Sequence, residues 1–102
     1  MFALKLKDEL PKNPKDFFDK IIANMKRLHK AKLVHADLSA FNILNYNEKP
    51  VFIDFSQSIT MESSRANEFL ERDVRNICNF FRKLGLKLDD KKIKEQITGK
   101  NK

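Results

Sequence analysis

The stretch that decides the fold is His35-Ala36-Asp37-Leu38-Ser39-Ala40-Phe41-Asn42, followed further along the chain by Ile53-Asp54-Phe55-Ser56. Residues 43–46 and 51–55 are predicted to form two short strands, joined by a turn at Asn47-Glu48-Lys49-Pro50. This β-hairpin would return Asp54 beside Asn42. An amide and a carboxylate held together supply two oxygen ligands, which suits Mg²⁺ because this ion keeps its other positions for water and phosphate oxygens.

Helices are predicted on both sides of this stretch, because apolar residues recur there at helical spacing. Their boundaries follow from cap and stop signals: Asn13 with Pro14 and an end near Lys30 for the first helix, Ser63 or Ser64 and Gly85 for the second, and Asp89 and Gly99 for the third. The sequence therefore predicts an α+β fold, mainly helical, in which the short β-hairpin carries the metal site.

Length and composition limit the architecture and the partners. The 102 residues suffice for a single domain, 1–102, and the tail 99–102 is expected to fray. The apolar runs are too short for a membrane span, so no membrane partner is expected. The single Cys78 suggests a buried thiol in a reducing, cytoplasmic location. A net charge of +7 is compatible with RNA or nucleotide binding and equally with a solvated lysine-rich surface.

The spacing of the polar residues carries the chemical prediction. Residues 35–42 fit the pattern H-x-D-L-x-x-x-N of a protein-kinase catalytic loop, and Asp54 follows Asn42 by twelve residues, where kinases place a metal-binding aspartate. Each element alone is weak, because H-x-D occurs by chance and Asp54 could simply end a strand. Their joint order and spacing favour phosphoryl transfer. In this loop His35 is expected to pack and hydrogen-bond rather than to move protons.

Three successive blocks resemble the Rio family of atypical protein kinases, and they look closer to its first subfamily. The blocks are HADLSAFNIL at 35–44, FIDFSQSI at 52–59 and FLERDVRNICNFF at 69–81. The resemblance implies the C-terminal lobe of a protein kinase, with the catalytic loop at 35–42 and the metal-site segment at 53–58. It also implies an ATP-dependent serine/threonine kinase or ATPase that acts in small ribosomal subunit maturation.

The resemblance also implies roles for single residues. Asp37 matches the catalytic aspartate that accepts or orients the acceptor proton, and Asn42 and Asp54 match the Mg²⁺ ligands. Asp54 would in addition be a transient phosphoacceptor, and so counts as catalytic. Leu44 and Ile53 match residues that line the adenine pocket of ATP, although both could be plain core residues.

The comparison with kinases also assigns roles to Ser39 and Asp73. Ser39 stands where ordinary kinases have a phosphate-neutralising lysine, and is assigned to the ATP side of the site. Asp73 matches a helix aspartate that accepts amide hydrogen bonds from the catalytic loop. The competing interpretation of Asp73 is an exposed residue paired with Arg72 or a nearby lysine.

The sequence lacks the parts that cover ATP in a kinase. No glycine precedes Gly85, so there is no glycine-rich loop, and no strand lysine is recognisable. The expectation is a fragment, a truncated reading frame or half of a split kinase, needing a small lobe in cis or in trans. Two alternatives stay open: a non-catalytic basic module that binds pre-ribosomal RNA or protein, and a small-molecule phosphotransferase.

Overall fold

The computed structural model of the protein describes residues 3–99. In chain order the elements are β1 (Leu4–Lys5), α1 (Pro14–Lys30), β2 (Leu33–Val34), β3 (Ile43–Tyr46), β4 (Lys49–Phe52), β5 (Ile59–Thr60), α2 (Ala66–Arg82) and α3 (Asp90–Thr98). One antiparallel sheet has the strand order β1-β3-β4, and a second antiparallel pair joins β2 to β5. The predicted α+β class and the dominance of helices are confirmed.

The first helix begins as its cap predicted. The side chain of Asn13 accepts a hydrogen bond from the backbone N–H of Asp16 at 3.1 Å, and Pro14 occupies the first turn. The Glu48 carboxylate accepts a further bond from the Lys12 N–H at 2.9 Å. Because Glu48 lies in the hairpin turn, this bond ties the entry of α1 to the β3–β4 hairpin.

Phenylalanine rings join the helices in the core. Phe81 of α2 stacks on Phe17 of α1, with ring centroids 6.3 Å apart, and meets Phe18 edge-on at 5.4 Å. Ile93 and Ile97 of α3 are buried in the same cluster. Aromatic pairs at these separations stabilise the core beyond their buried area. The loop 35–42 packs against this core, since Ala36, Leu38 and Ala40 belong to the same cluster.

The hairpin differs from its prediction in where the strands end. Its turn contains only Asn47 and Glu48, whose φ angles of 50° and 67° suit a two-residue turn with both residues left-handed. Lys49 and Pro50 therefore already pair with β3. The second strand stops at Phe52, and Asp54, with φ of 60°, lies beyond it in a left-handed conformation. Asp54 is thus placed by a loop rather than by the strand itself.

The second helix also starts later and ends earlier than predicted. It begins at Ala66, and neither Ser63 nor Ser64 is its cap; the Ser63 hydroxyl instead accepts from the Arg65 N–H in a turn before the helix, at 3.2 Å. It ends at Arg82, three residues before Gly85.

The boundaries of the third helix agree with the prediction, whereas the shortest strands were not predicted. Asp89 caps α3 and Gly99 ends it, both as predicted. The two-residue strands β1, β2 and β5 were not predicted, because two residues carry no periodic signal. Of the tail expected to fray, residues 100–102 lie outside the described part. No helix within 3–99 has the length and apolar character needed to cross a membrane.

The thiol of Cys78 is completely buried in α2, as the apolar stripe predicted. Burial, and next the charge of Asp90, raises the pKa of this thiol to about 12. We therefore expect the native chain to react with a thiol reagent at mildly alkaline pH only as fast as the fold opens. The same chain in denaturant should react at once, and since Cys78 is the only cysteine the signal is unambiguous. Immediate reaction of the native chain would contradict the buried placement.

Candidate active site

The loop 35–42 connects β2 to β3 and is bound to the residue that precedes Asp54. The N–H of Ile53 donates to the carbonyl of Asn42 at 2.9 Å, and the carbonyl of Ile53 accepts from Nε2 of His35 at 2.8 Å. Both backbone groups of Ile53 therefore bind the loop, one at each end of it. These bonds place Ile53, the residue before Asp54, beside both ends of the loop that contains Asn42.

His35 acts as a structural link, in line with its expected role. Its side chain is 2% exposed, and its Nδ1 accepts from the Asp37 N–H at 3.2 Å while Nε2 faces the Ile53 carbonyl. A neutral ring with its proton on Nε2 satisfies both contacts. The ring also tilts against Phe55, with centroids 4.7 Å apart. His35 therefore holds both acidic segments in place and offers no nitrogen to a substrate.

Asp37 and Asn42 are joined directly. The Nδ2 group of Asn42 donates to the carbonyl of Asp37 at 2.7 Å and to its carboxylate at 3.3 Å. Because the nitrogen of the amide is turned toward Asp37, Oδ1 is the Asn42 atom that can face a cation. The carboxylate of Asp37 is exposed, so it can reach a substrate hydroxyl or water.

Asp54 is exposed as well, and its carboxylate is oriented by a neighbour. The hydroxyl of Ser56 donates to Oδ1 of Asp54 at 2.8 Å. Within residues 3–99, no cluster of three or more His, Cys, Asp or Glu side chains could hold a metal by itself. The candidate Mg²⁺ site therefore rests on one carboxylate and one amide, a donor set that fits Mg²⁺ when phosphate oxygens and water complete the octahedron.

The structure confirms that Asp73 anchors the catalytic loop, and it excludes the alternative that Asp73 is an exposed residue paired with Arg72 or a lysine. Its side chain is 1% exposed, and its two carboxylate oxygens accept from the N–H groups of Ala36 and Leu38 at 2.8 and 3.0 Å. Ala36 has a φ of 74°, a strained angle for a residue with a Cβ. The paired bonds from α2 stabilise this backbone and so set the direction of Asp37, which lies between the two amides.

Two neighbours of Asp73 complete the attachment, and sequence reasoning missed both. The Arg72 guanidinium donates to the carbonyl of Ala36 at 2.7 Å, and the Asn76 amide donates to the carbonyl of Leu38 at 3.2 Å. Helix α2 thus binds all four backbone polar groups of residues 36 and 38. The available signal was the grouping of Arg72, Asp73 and Asn76 on consecutive turns, which points three polar side chains to one place. We call these three residues the α2 clamp.

The residues assigned to ATP lie around the loop. Leu44 is half-buried in β3, opposite Lys5 on one side and Val51 on the other, so it belongs to the solvent-facing side of the sheet. Ile53 is also half-buried. The hydroxyl of Ser39 accepts from the Phe41 N–H at 3.1 Å, and so helps to close the turn of the loop.

A cavity of about 550 Å³ lies away from the candidate site. It is lined by residues of α2 and α3, including Asn67, Arg75 and Lys94. None of its lining residues belongs to the loop 35–42 or to the hairpin.

Comparisons with known proteins decide the family. A family model of the RIO domain matches residues 1–94. The chain belongs to the RIO family. A RIO-type serine/threonine-protein kinase Rio1 of Haloferax volcanii is 39% identical over 95% of the chain, and one of Thermoplasma acidophilum is 45% identical over 81%. The chain spans only 33% and 44% of the length of these two RIO proteins.

Solved structures agree with the RIO assignment. The Rio2 kinase–ADP/Mg²⁺–phosphoaspartate complex from Chaetomium thermophilum matches with a TM-score of 0.74 and 28% identity, over 96% of this chain and 34% of that one. A second structure of the Rio2 kinase from the same organism gives a TM-score of 0.73 at 26% identity, over 94% of this chain and 34% of that one. The predicted kinase-lobe fold is thereby confirmed, and the roles of the individual site residues stay predictions.

Proposed function

We propose that residues 1–102 form the phosphoryl-transfer lobe of a RIO-type serine/threonine kinase or ATPase. The observation that supports the proposal is the double bonding of Ile53 to the loop, since it ties the residue before Asp54 to both ends of the loop that contains Asp37 and Asn42. Phosphoryl transfer depends mainly on positioning and on stabilising charge, which is what such an assembly provides. Family membership supports the same reaction class.

In this proposal Asn42 and Asp54 would hold Mg²⁺, and the ion would offset the negative charge of the ATP phosphates. Asn42 offers Oδ1, because its nitrogen binds Asp37. Asp54 offers its carboxylate, oriented by Ser56. Leu44 and Ile53 contact the adenine, and Ser39 lies near the phosphates, where a hydroxyl can donate a hydrogen bond.

Asp37 takes the proton of the attacking group. For direct transfer, a substrate hydroxyl attacks the γ-phosphorus, the bond to the β-phosphate oxygen breaks, ADP leaves, and Asp37 accepts the hydroxyl proton. In the variant implied by the family, the Asp54 carboxylate attacks the γ-phosphorus, the bond to the β-phosphate oxygen breaks and ADP leaves. Water that gives its proton to Asp37 then attacks the acyl phosphate, which releases phosphate and regenerates Asp54. The phosphoaspartate in the Rio2 kinase complex supports this second route.

The test uses magnesium-dependent ATP hydrolysis. We expect the 102-residue chain to turn over no measurable ATP alone, because its sequence has no glycine before Gly85 that could form a loop over the β- and γ-phosphates. Fusing a RIO small lobe ahead of Met1, or adding it in trans, should restore turnover. The control carries Asp37→Ala in the fused form and should be inactive. Robust turnover by the chain alone, lost in Asp37→Ala, would refute the need for a small lobe.

The physiological setting is proposed from the family resemblance. The reaction would serve maturation of the small ribosomal subunit in the cytoplasm, where the partners are pre-ribosomal RNA and protein. The net charge of +7 favours a second candidate function, a basic module that binds pre-ribosomal RNA without catalysis. A chain that binds structured RNA in a salt-dependent manner, but gains no turnover from a small lobe, would favour that function.

A further inference from the structure

An aromatic ring stands out of the catalytic loop beside the candidate acceptor site. Phe41 is 57% exposed, the highest value among the large apolar side chains of the described residues. It lies in the turn that the Asn42 N–H closes onto the Ser39 carbonyl, at 3.0 Å. Asn42, the next residue in the chain, binds Asp37 through its side chain, so Phe41 directly precedes one member of the Asp37–Asn42 pair.

Two lysines flank the ring. The Nζ atoms of Lys5 and Lys7 lie 5.9 and 5.1 Å from the centroid of Phe41, within the range of cation–π attraction. The Lys7 N–H donates to the Ala40 carbonyl at 3.2 Å, so the lysine segment is bound to the loop and keeps its place beside the ring. Lys7 also pairs with its neighbour Asp8, but an exposed ion pair of this kind exchanges partners at little cost.

Exposed lysines and exposed carboxylates both belong to this part of the chain. Lys5 and Lys7 flank Phe41, while Asp37 lies in the same loop and both Asp37 and Asp54 are exposed. A continuous polyanion such as single-stranded RNA that bound the lysines and reached Asp37 would bring phosphates against these carboxylates. A polypeptide can instead place a neutral hydroxyl at Asp37 and an acidic side chain a few residues away at the lysines.

We infer that Lys5, Lys7 and Phe41 form a docking surface for an acidic polypeptide segment that carries the phosphorylated serine or threonine. The lysines bind its carboxylates, and the ring packs on an adjacent apolar side chain. The inference rests on the proposed function for the identity of the acceptor. It adds the acidic character of the substrate and the three residues that select it.

Peptide binding to the purified 102-residue chain tests this without any turnover. The probes are two short fluorescent peptides that share one serine and one leucine, flanked by aspartates in one and by lysines in the other. At low salt the acidic peptide should bind measurably tighter. The double variant Lys5→Glu/Lys7→Glu should weaken that binding about tenfold, as expected for two reversed charges at exposed sites. Phe41→Ala should weaken it about threefold.

Matched controls distinguish binding at Lys5, Lys7 and Phe41 from nonspecific binding through surface charge or exposed aromatic side chains. Lys83→Glu/Lys87→Glu changes two exposed lysines by the same charge, and Tyr46→Ala removes another exposed aromatic ring. Both should leave peptide affinity unchanged. Equal binding of the two peptides, or no effect of Lys5→Glu/Lys7→Glu, would overturn the inference. So would a single-stranded RNA that binds more tightly than the acidic peptide and loses affinity in the same double variant.

The peptide-binding test can fail or succeed independently of the test of the proposed function, because peptide binding needs neither ATP nor a small lobe. Loss of the binding difference with small-lobe-dependent turnover intact would refute the docking surface alone. Selective binding of the acidic peptide without any turnover in the fused form would refute the proposed function alone.

Discussion

Replacing Asp37 with Asn should lower ATP turnover about 10²–10⁴-fold in the form fused to a small lobe, while nucleotide affinity changes little. Asparagine keeps the shape of the side chain but cannot accept the acceptor proton. The Asn42 amide can still donate to the carbonyl of residue 37, so the turn of the loop should survive. We therefore expect the turnover rate to fall while the loop structure and the nucleotide affinity are retained.

Asp54→Asn provides the comparison. It removes the charged ligand of the proposed Mg²⁺ site, so magnesium-dependent nucleotide binding should weaken as well as turnover. Titrating a fluorescent nucleotide at several Mg²⁺ concentrations distinguishes the two variants. Asp37→Asn should follow the parent curve, and Asp54→Asn should need more Mg²⁺. Equal shifts for both variants would contradict the separate roles assigned to the two aspartates.

Replacing Asp73 with Ala should destabilise the fold by about 3–5 kcal/mol, since it leaves two buried amides without an acceptor. That is a large part of the about 5–15 kcal/mol available to a small domain. Asp73→Asn should cost less, because its carbonyl oxygen can still accept from one of the two amides. Urea unfolding gives both values. Unchanged stability in both variants would refute the anchor.

The other members of the α2 clamp give a graded control. Arg72→Ala and Asn76→Ala each remove one hydrogen bond to a loop carbonyl, at the Ala36 and Leu38 oxygens. Each should cost about 1 kcal/mol, the usual net contribution of a single hydrogen bond. A larger loss in either variant than in Asp73→Ala would place the main attachment at the carbonyls rather than at the amides.

The pH dependence of Asp73 has a definite sign. Burial raises the pKa of this carboxyl above its ordinary value and outweighs the amide bonds from Leu38 and Ala36, which lower it. The native state then binds its proton at a higher pH than the unfolded chain does. The stability of the parent relative to Asp73→Asn should be greatest below the ordinary pKa of about 3.9, and should decrease as pH rises through the raised pKa. A difference that grows with pH would show that the amide bonds outweigh burial.

The sequence predicted some ends of the helices and strands correctly and others wrongly. Asn13, Asp89 and Gly99 predicted helix ends correctly, because caps act through local hydrogen bonds. The predicted start of α2 was wrong, since Ser63 closes a turn before the helix instead of capping it. The extent of the second hairpin strand was wrong as well, because the two-residue turn at Asn47 and Glu48 shifts the pairing toward it.

The sequence by itself determined the type of fold, the family and the residues that form the candidate site, because periodicity, caps and motif spacing are properties of neighbouring positions. The family resemblance predicted the Asp73 anchor, but only the tertiary structure decided that Arg72 and Asn76 hold the loop together with it and that His35 binds Ile53. The bonds from Arg72, Asp73 and Asn76 to the loop span 35 to 38 positions, and the pairing of His35 with Ile53 spans 18. Such contacts depend on how α2 and the hairpin pack around the loop, and packing of distant segments leaves no fixed spacing in a single sequence.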